Sequence, residues 1–290
     1  MVTPRYGQLG ASLYVPATHK TLDQILVDGC NDARSIILCT EDAVVPDAVA
    51  WAVQRLIKAL KAAPKSVPFL RFVRPRNPFV LRQLLESPDA VARLDGIVIP
   101  KFDHKTMPAW RDVLDGNKTL AIMPTLETPV LFREDGAIAT LDAVQDLCNP
   151  VIALRIGAND LLGAIGLKRQ PGQTFYDTPL RSTMERLITV FRPAGFELSA
   201  PVCDLIGEPD TLSREVALDI AWGFYAKTCV HPAQVALIEE HFTQAMARQQ
   251  PQAHALLSSS EAVFKDSGQM LEATCHTNWA KRVAALQIRV

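Results

Sequence analysis

The sequence has no cysteine pair at the C-x-x-C spacing of a metal knuckle or redox motif. Its six cysteines, Cys30, Cys39, Cys148, Cys203, Cys229 and Cys275, are scattered, which excludes a disulfide framework and implies reduced thiols. Neither sign of charge is in excess. Lys+Arg number 30 against Asp+Glu 31, a net charge of -1, so the electrostatic footprint of a nucleic-acid or acidic-membrane binder is missing. No apolar run approaches the roughly 18 residues that a membrane span needs. The stretch from Met1 to Gly10 also lacks the basic-then-apolar layout of a signal peptide. The expected setting is a soluble, cytoplasmic protein acting on a small molecule, with no nucleic acid and no membrane.

What the chain does have is a 48% hydrophobic content over 290 residues, enough for one large barrel or two modest domains. Eight short apolar runs alternate with amphipathic segments. The strand-like runs are Ser12 to Val15, Arg34 to Cys39, Val67 to Val73, Gly96 to Ile99, Leu120 to Met123, Val151 to Ile156, Phe196 to Pro201 and Trp222 to Tyr225. Unbroken runs such as Ile36-Ile37-Leu38 suit strands covered on both faces. Between them, Val49, Val53, Leu56, Ile57 and Leu60 share one side of a helix stopped by Pro64, and Leu180, Met184, Leu187, Ile188 and Phe191 recur at helical steps.

Eight strands, each followed by a helix, predict a closed (β/α)8 TIM barrel over residues 1–246. A doubly wound open sheet is the alternative, but it wants a glycine-rich phosphate turn after an early strand. The first two turns, Pro16-Ala17-Thr18 and Thr40-Glu41-Asp42, contain no glycine. Residues 247–290 remain as a C-terminal extension. There Ser258-x-x-Glu261 reads as a capping box opening a helix, and Gln249-Gln250-Pro251 reads as the hinge where the chain leaves the barrel.

Barrel enzymes build their sites from the loops after the strands, and those positions are charged here. Glu41-Asp42 follow the second run, Arg74-Pro75-Arg76-Asn77 the third and Lys101 the fourth. Glu127, four residues beyond the apolar run that ends at Met123, reads as opening the next helix, and Asp160 follows the sixth run. Two carboxylates beyond consecutive strands suit one hard cation.

The motifs Leu13-Tyr14-Val15-Pro16, Glu41-Asp42-Ala43-Val44, Arg74-Pro75-Arg76-Asn77, Ile99-Pro100-Lys101, Glu127-Thr128, Gly157-x-x-Asp160-Leu161 and Gly223-Phe224-x-x-Lys227-x-x-x-His231-Pro232 together resemble the citrate lyase β-subunit-like family. That family belongs to the pyruvate/phosphoenolpyruvate barrels. The resemblance implies carbon–carbon lyase or aldolase chemistry on a small hydroxy- or oxo-acid, free or as an acyl-CoA thioester, with Mg2+ stabilising an enolate. It places Glu127 and Asp160 as metal ligands. It places Arg74, Glu41, Asp42, Lys101 and Glu272 in catalysis, and Arg74, Arg76, Glu127, Gly157, Ala158, Asn159 and Lys227 around the substrate. Arg74 and Arg76 flank Pro75, which holds the family arginine's place. Both stay open, with Arg74 favoured.

The departures bear on the substrate. Gly10-Ala11 stands where the family commonly has Arg-Ser, and Cys39 stands where it has an acid, so coenzyme A use and substrate choice stay open. A thioester hydrolase on the same scaffold and a non-catalytic barrel subunit are the remaining alternatives. Val263, Phe264, Met270, Leu271, Trp279, Val283 and Leu286 make the extension too apolar to stay exposed. With the resemblance, they imply a homo-oligomer, a trimer or a pair of trimers, in which Glu272 reaches a neighbour's site.

Overall fold

Strand β1 (Gly10–Pro16) and strand β2 (Ser35–Cys39) set the pattern of the whole molecule. Ile36, Ile37 and Leu38 are each fully buried, because side chains on one face fill the barrel and those on the other meet helices. The computed structural model describes residues 3–286, so residues 287–290 of the extension lie outside the described residues. Helices α1 (Leu22–Asp28) and α2 (Val49–Ala62) follow the first two strands. Helix α2 buries Ala52, Val53, Leu56, Ala59 and Leu60 on one stripe and ends before Pro64.

Strand β3 (Leu70–Arg74) leads into α3 (Pro78–Leu85). Asn77 caps that helix by accepting the Val80 N–H at 2.9 Å, and Pro78 occupies a first-turn position where no N–H is needed. The chain continues through α4 (Pro88–Val91), β4 (Gly96–Ile99), α5 (Met107–Leu114), β5 (Ile122–Leu126) and α6 (Glu134–Gln145). Next come β6 (Leu154–Ile156), α7 (Ala158–Ala164), α8 (Arg181–Phe191), β7 (Leu198–Ser199), α9 (Pro209–Ala221) and β8 (Ala226–Cys229). The eight strands are parallel in the order β7-β6-β5-β4-β3-β2-β1-β8. A parallel bridge between Ala200 and Lys227 joins the two ends. This is a TIM barrel.

Among the strand boundaries that differ from expectation, two bear on the site. Strand β5 runs on to Leu126, so Glu127 directly follows a strand and the next helical turn begins only at Pro129. Trp222 to Tyr225 is not a strand. Trp222 and Gly223 close α9 with N–H bonds to Leu218 O and Ile220 O, and Gly223 takes φ +79. The eighth strand begins at Ala226 and contains Lys227.

That shift removes Lys227 from the substrate site. It is fully buried in the wall between β8 and α9, with Nζ 2.7 Å from Asp219 Oδ2, 2.9 Å from Glu215 Oε1 and 2.8 Å from Pro201 O. Arg169 also binds Glu215, at 2.5 Å, and Tyr176 donates to Asp219 at 2.7 Å. Burial works against charge on Lys227, but Asp219 and Glu215 more than offset it and hold its pKa above the ordinary lysine value.

The extension differs in detail from its expected form. Helix α10 (Val235–Ser258) runs straight through Pro251. The exposed proline forfeits one helical hydrogen bond without breaking the helix, so no hinge forms there. An antiparallel hairpin, β9 (Val263–Asp266) and β10 (Gln269–Glu272), takes the place of the helix expected from Ser258. Helix α11 (Ala273–Ala284) then packs back on α10, where Ala253, Leu256, Leu271, Ala280 and Val283 form a second small core against Phe264 and Trp279. Arg282 grips Glu197 with two hydrogen bonds of 2.7 and 2.6 Å, tying α11 to the entry of β7. All six cysteines are free.

Lys227→Met should lower stability by about 3–5 kcal/mol, because it leaves buried Asp219 without a cation and Glu215 with Arg169 alone. Urea denaturation should show this as a fall in midpoint with an unchanged slope.

Candidate active site

Six charged side chains meet at the C-terminal ends of β2 to β6. Arg74, the last residue of β3, lies 2.8 Å from Glu41 Oε2, 3.0 Å from Glu127 Oε1 and 3.6 Å from Asp42 Oδ2. Lys101 Nζ is 2.5 Å from Glu41 Oε1, 3.1 Å from Asp42 Oδ1 and 3.8 Å from Asp160 Oδ1. The cluster holds four carboxylates against two cations. Its formal excess of two negative charges, with every carboxyl ionised, is what one divalent cation would balance.

The backbone is shaped around Glu127. Lys101 adopts φ +50, a left-handed conformation that a non-glycine residue rarely holds, and there its N–H donates to Glu127 Oε1 at 2.8 Å. On the other side, a Cβ at Gly157 would collide with Glu127 Oε2 and Cβ, so only glycine lets the β6 loop approach so closely. Burial pushes the Glu127 carboxyl up to about 7 against the pull of Arg74, and Asp160 adds to the rise. Burial likewise raises Glu41, although Arg74 and Lys101 oppose it. For Lys101, burial is outweighed by Glu41 and Asp42, and its pKa is pushed up.

A cavity of about 220 Å³ opens beside this cluster, lined among others by Tyr14, Asp42, Arg74, Thr125, Glu127, Arg155 and Asp160. Among the described residues, no group of three or more His, Cys, Asp or Glu could hold a metal ion. Glu127 Oε2 and the two Asp160 oxygens accept no hydrogen bond from the described residues, so two carboxylates face the cavity ready for a hard cation. Mg2+ characteristically takes one or two carboxylates and completes its shell with water and substrate oxygens, and this donor set fits it.

The structure gathers Glu41, Asp42, Arg74, Lys101, Glu127, Gly157, Ala158, Asn159 and Asp160 around or beside one cavity. Three of the expected residues lie elsewhere. Arg76 donates to Glu41 O at 3.3 Å and Val44 O at 3.1 Å; it braces the loop after β2. Lys227 sits in the barrel wall, as described above. Glu272 ends β10, and its N–H donates to His276 Nδ1 at 3.0 Å, apart from the cluster of its own chain. Arg155, inside the barrel on β6, was hidden in an apolar run; a lone charge within such a run was the available signal.

The family model for the C–C bond lyases of the TIM-barrel fold matches residues 4–287. The chain belongs to this family. Among the relatives of this chain, a citrate lyase subunit beta-like protein from Deinococcus radiodurans is 27% identical over 281 residues, spanning 91% of this chain and 92% of the relative. CitE from Mycobacterium tuberculosis, solved with magnesium, acetoacetate and coenzyme A, superposes with a TM-score of 0.66 at 20% identity, covering 95% of this chain and 97% of that one. RipC from Yersinia pestis gives 0.61 at 19% identity, covering 82% and 96%. At these identities the two structures show a shared fold.

Gly157→Ala should cost about 1–3 kcal/mol by overpacking against Glu127. A Gly163→Ala control, where an added Cβ meets nothing within 4 Å, should leave the denaturation midpoint near that of the parent.

Proposed function

We propose that this C–C bond lyase acts with Mg2+ on a small oxo- or hydroxy-acid, free or thioester-linked, cleaving or forming the bond next to its carbonyl. The observation that carries the reading is the double negative excess of the ion-paired cluster, with Glu127 Oε2 and Asp160 turned to one cavity. Solved proteins of the same fold hold magnesium with oxaloacetate or with pyruvate, which supports it. Glu127 and Asp160 would hold the ion, which supplies Lewis acidity toward the negative charge that develops on a carbonyl oxygen.

The remaining residues bind and orient. Glu41 Oε2 and Glu127 Oε1 both contact Arg74 Nη2 and fix the plane of the guanidinium, while its Nε forms no hydrogen bond. Arg74 thereby holds a planar, oriented cation with N–H donors left for a substrate carboxylate. Lys101, held charged by Glu41 and Asp42, sets the field at the rim and gives Glu127 its backbone hydrogen bond. The proposal extends to a closed homo-oligomer, a trimer or hexamer. It is supported by Phe79, Val263 and Met270, which are 68%, 51% and 59% exposed; Glu272 enters the reading only across such an interface.

The test is calorimetric titration with Mg2+, followed by turnover of a panel of oxo-acids. Glu127→Gln and Asp160→Asn should each weaken Mg2+ binding by at least about tenfold and cut turnover by more than tenfold, a barrier change above roughly 1.4 kcal/mol. Unchanged metal affinity in either variant would sink the assignment, and a flat titration of the parent would favour a non-catalytic subunit. Arg74→Lys should be nearly as inactive as Arg74→Ala, because an ammonium cannot reproduce the planar fork. If lysine restored most of the rate, charge steering would replace bidentate anchoring.

A further inference from the structure

The barrel interior holds a cation that the acid cluster at the rim does not use. Arg155 is 1% exposed, yet it forms no ion pair with any carboxylate among the described residues. Its partners are neutral: Nη1 reaches Ser12 Oγ at 3.4 Å and Met123 Sδ at 4.0 Å, and Nη2 donates to Thr228 Oγ1. Nε is buried with no hydrogen-bond partner. A guanidinium out of water without a counter-charge is strongly disfavoured, so this arrangement is incomplete as it stands.

What surrounds Arg155 says what would complete it. In the sheet register Arg155 pairs with Thr125 of β5 on one side and Ser199 of β7 on the other, and side chains at paired positions leave the same face. Thr125 Oγ1 and Ser199 Oγ are both buried, and both lack a hydrogen-bond partner. A hydroxyl can donate as readily as accept. Three donors that share a face thus lack acceptors, one of them carried by a full positive charge. Of these residues Thr125 and Arg155, together with Thr228, line the same cavity as Arg74, Glu127 and Asp160, where they can receive an anion; Ser199 does not line it. The Tyr14 ring ties the two arginines together: each guanidinium carbon lies 5.7 Å from its centroid, so they are at most twice that distance apart.

We propose that Arg155, with Thr125, is a second anion subsite inside the barrel, and that the substrate is a short dicarboxylic oxo- or hydroxy-acid. This rests on the metal-dependent reading for the end of the substrate held at the rim. The carboxylate beside the carbonyl lies at Arg74 and the acid cluster, and the remote carboxylate goes inward to Arg155. A cavity of about 220 Å³ is smaller than the ~300 Å³ at which drug-sized pockets begin, which suits an acid of this length.

The test compares two ligands that differ by one carboxylate, lactate and malate, bound calorimetrically to the full chain in saturating Mg2+. Malate should bind at least about tenfold more tightly, the scale of one charge-assisted hydrogen-bonded contact. Arg155→Met should erase that preference while lactate affinity stays within about twofold. Because it removes an unpaired buried charge, it should also leave the denaturation midpoint equal or higher. Should Arg155→Met fail to fold, Thr125→Val keeps the shape and should shrink the preference by about threefold or more. Equal binding of the two ligands by the parent, no malate binding at all, an equal loss of both ligands in Arg155→Met, or an unchanged preference in Thr125→Val would each overturn the subsite. Repeating both titrations in EDTA separates the two readings. The Mg2+ dependence of either ligand reports on the metal, and the malate-to-lactate ratio reports on Arg155.

Discussion

A closed parallel barrel leaves no dry place for an unanswered charge, and that constraint orders this structure. Each strand is covered by helices outside and by side chains within, so a cation on either face must find partners in protein or ligand. Three cations meet the requirement in three ways. Lys227 faces outward and is enclosed by Glu215 and Asp219 of α9, a complete arrangement with purely architectural consequences. Arg74 stands at the rim and is shared among Glu41, Asp42 and Glu127. Arg155 faces inward and has only neutral partners. Completeness separates the structural cation from the two that face the cavity.

The same constraint explains what could be read from the sequence. Runs such as Ile36-Ile37-Leu38 announced strands buried on both faces, and α2 was readable because its apolar stripe recurs at helical steps up to Pro64. The eighth strand was misread because Lys227 makes it look polar, and only tertiary pairing with α9 makes a lysine tolerable there. Pro251 misled for the opposite reason: a proline on the exposed side of a long, well-packed helix costs one hydrogen bond, and contacts with α11 outweigh it. Ser258-x-x-Glu261 fitted a helix start, whereas Ser267-Gly268 was the stronger signal. Both residues take positive φ, 48 and 82, in a two-residue hairpin turn.

In the candidate site, residue type and order along the chain were legible and geometry was not. Acids after the second, fifth and sixth strands could be listed from the sequence, but not that Arg74 would join Glu41 to Glu127. Nor could the choice between Arg74 and Arg76 be made, since both flank Pro75. The fold ends β3 at Arg74, beside the acid cluster, and sends Arg76 to the carbonyls of Glu41 and Val44. The left-handed backbone at Lys101 has no sequence signature at all.

Several unfavourable features of the molecule gather at one end. Lys101 in a left-handed conformation, four carboxylates crowded around two cations, a glycine kept bare to admit Glu127 and an arginine without a counter-charge all lie at or below the C-terminal rim. Each is a local cost of the kind that persists only when surrounding structure over-determines it. The opposite end supplies that structure. Arg282 clamps Glu197, the Tyr6 hydroxyl donates to Leu198 O at 2.9 Å and accepts from Tyr225 N–H at 2.8 Å, and α10 and α11 share their own small core. The C-terminal extension, on this argument, serves its own barrel by holding the entry of β7 and the approach to β8 in place. Those two strands close the barrel beside Arg155, so fixing them at one end keeps the donors at the other aligned.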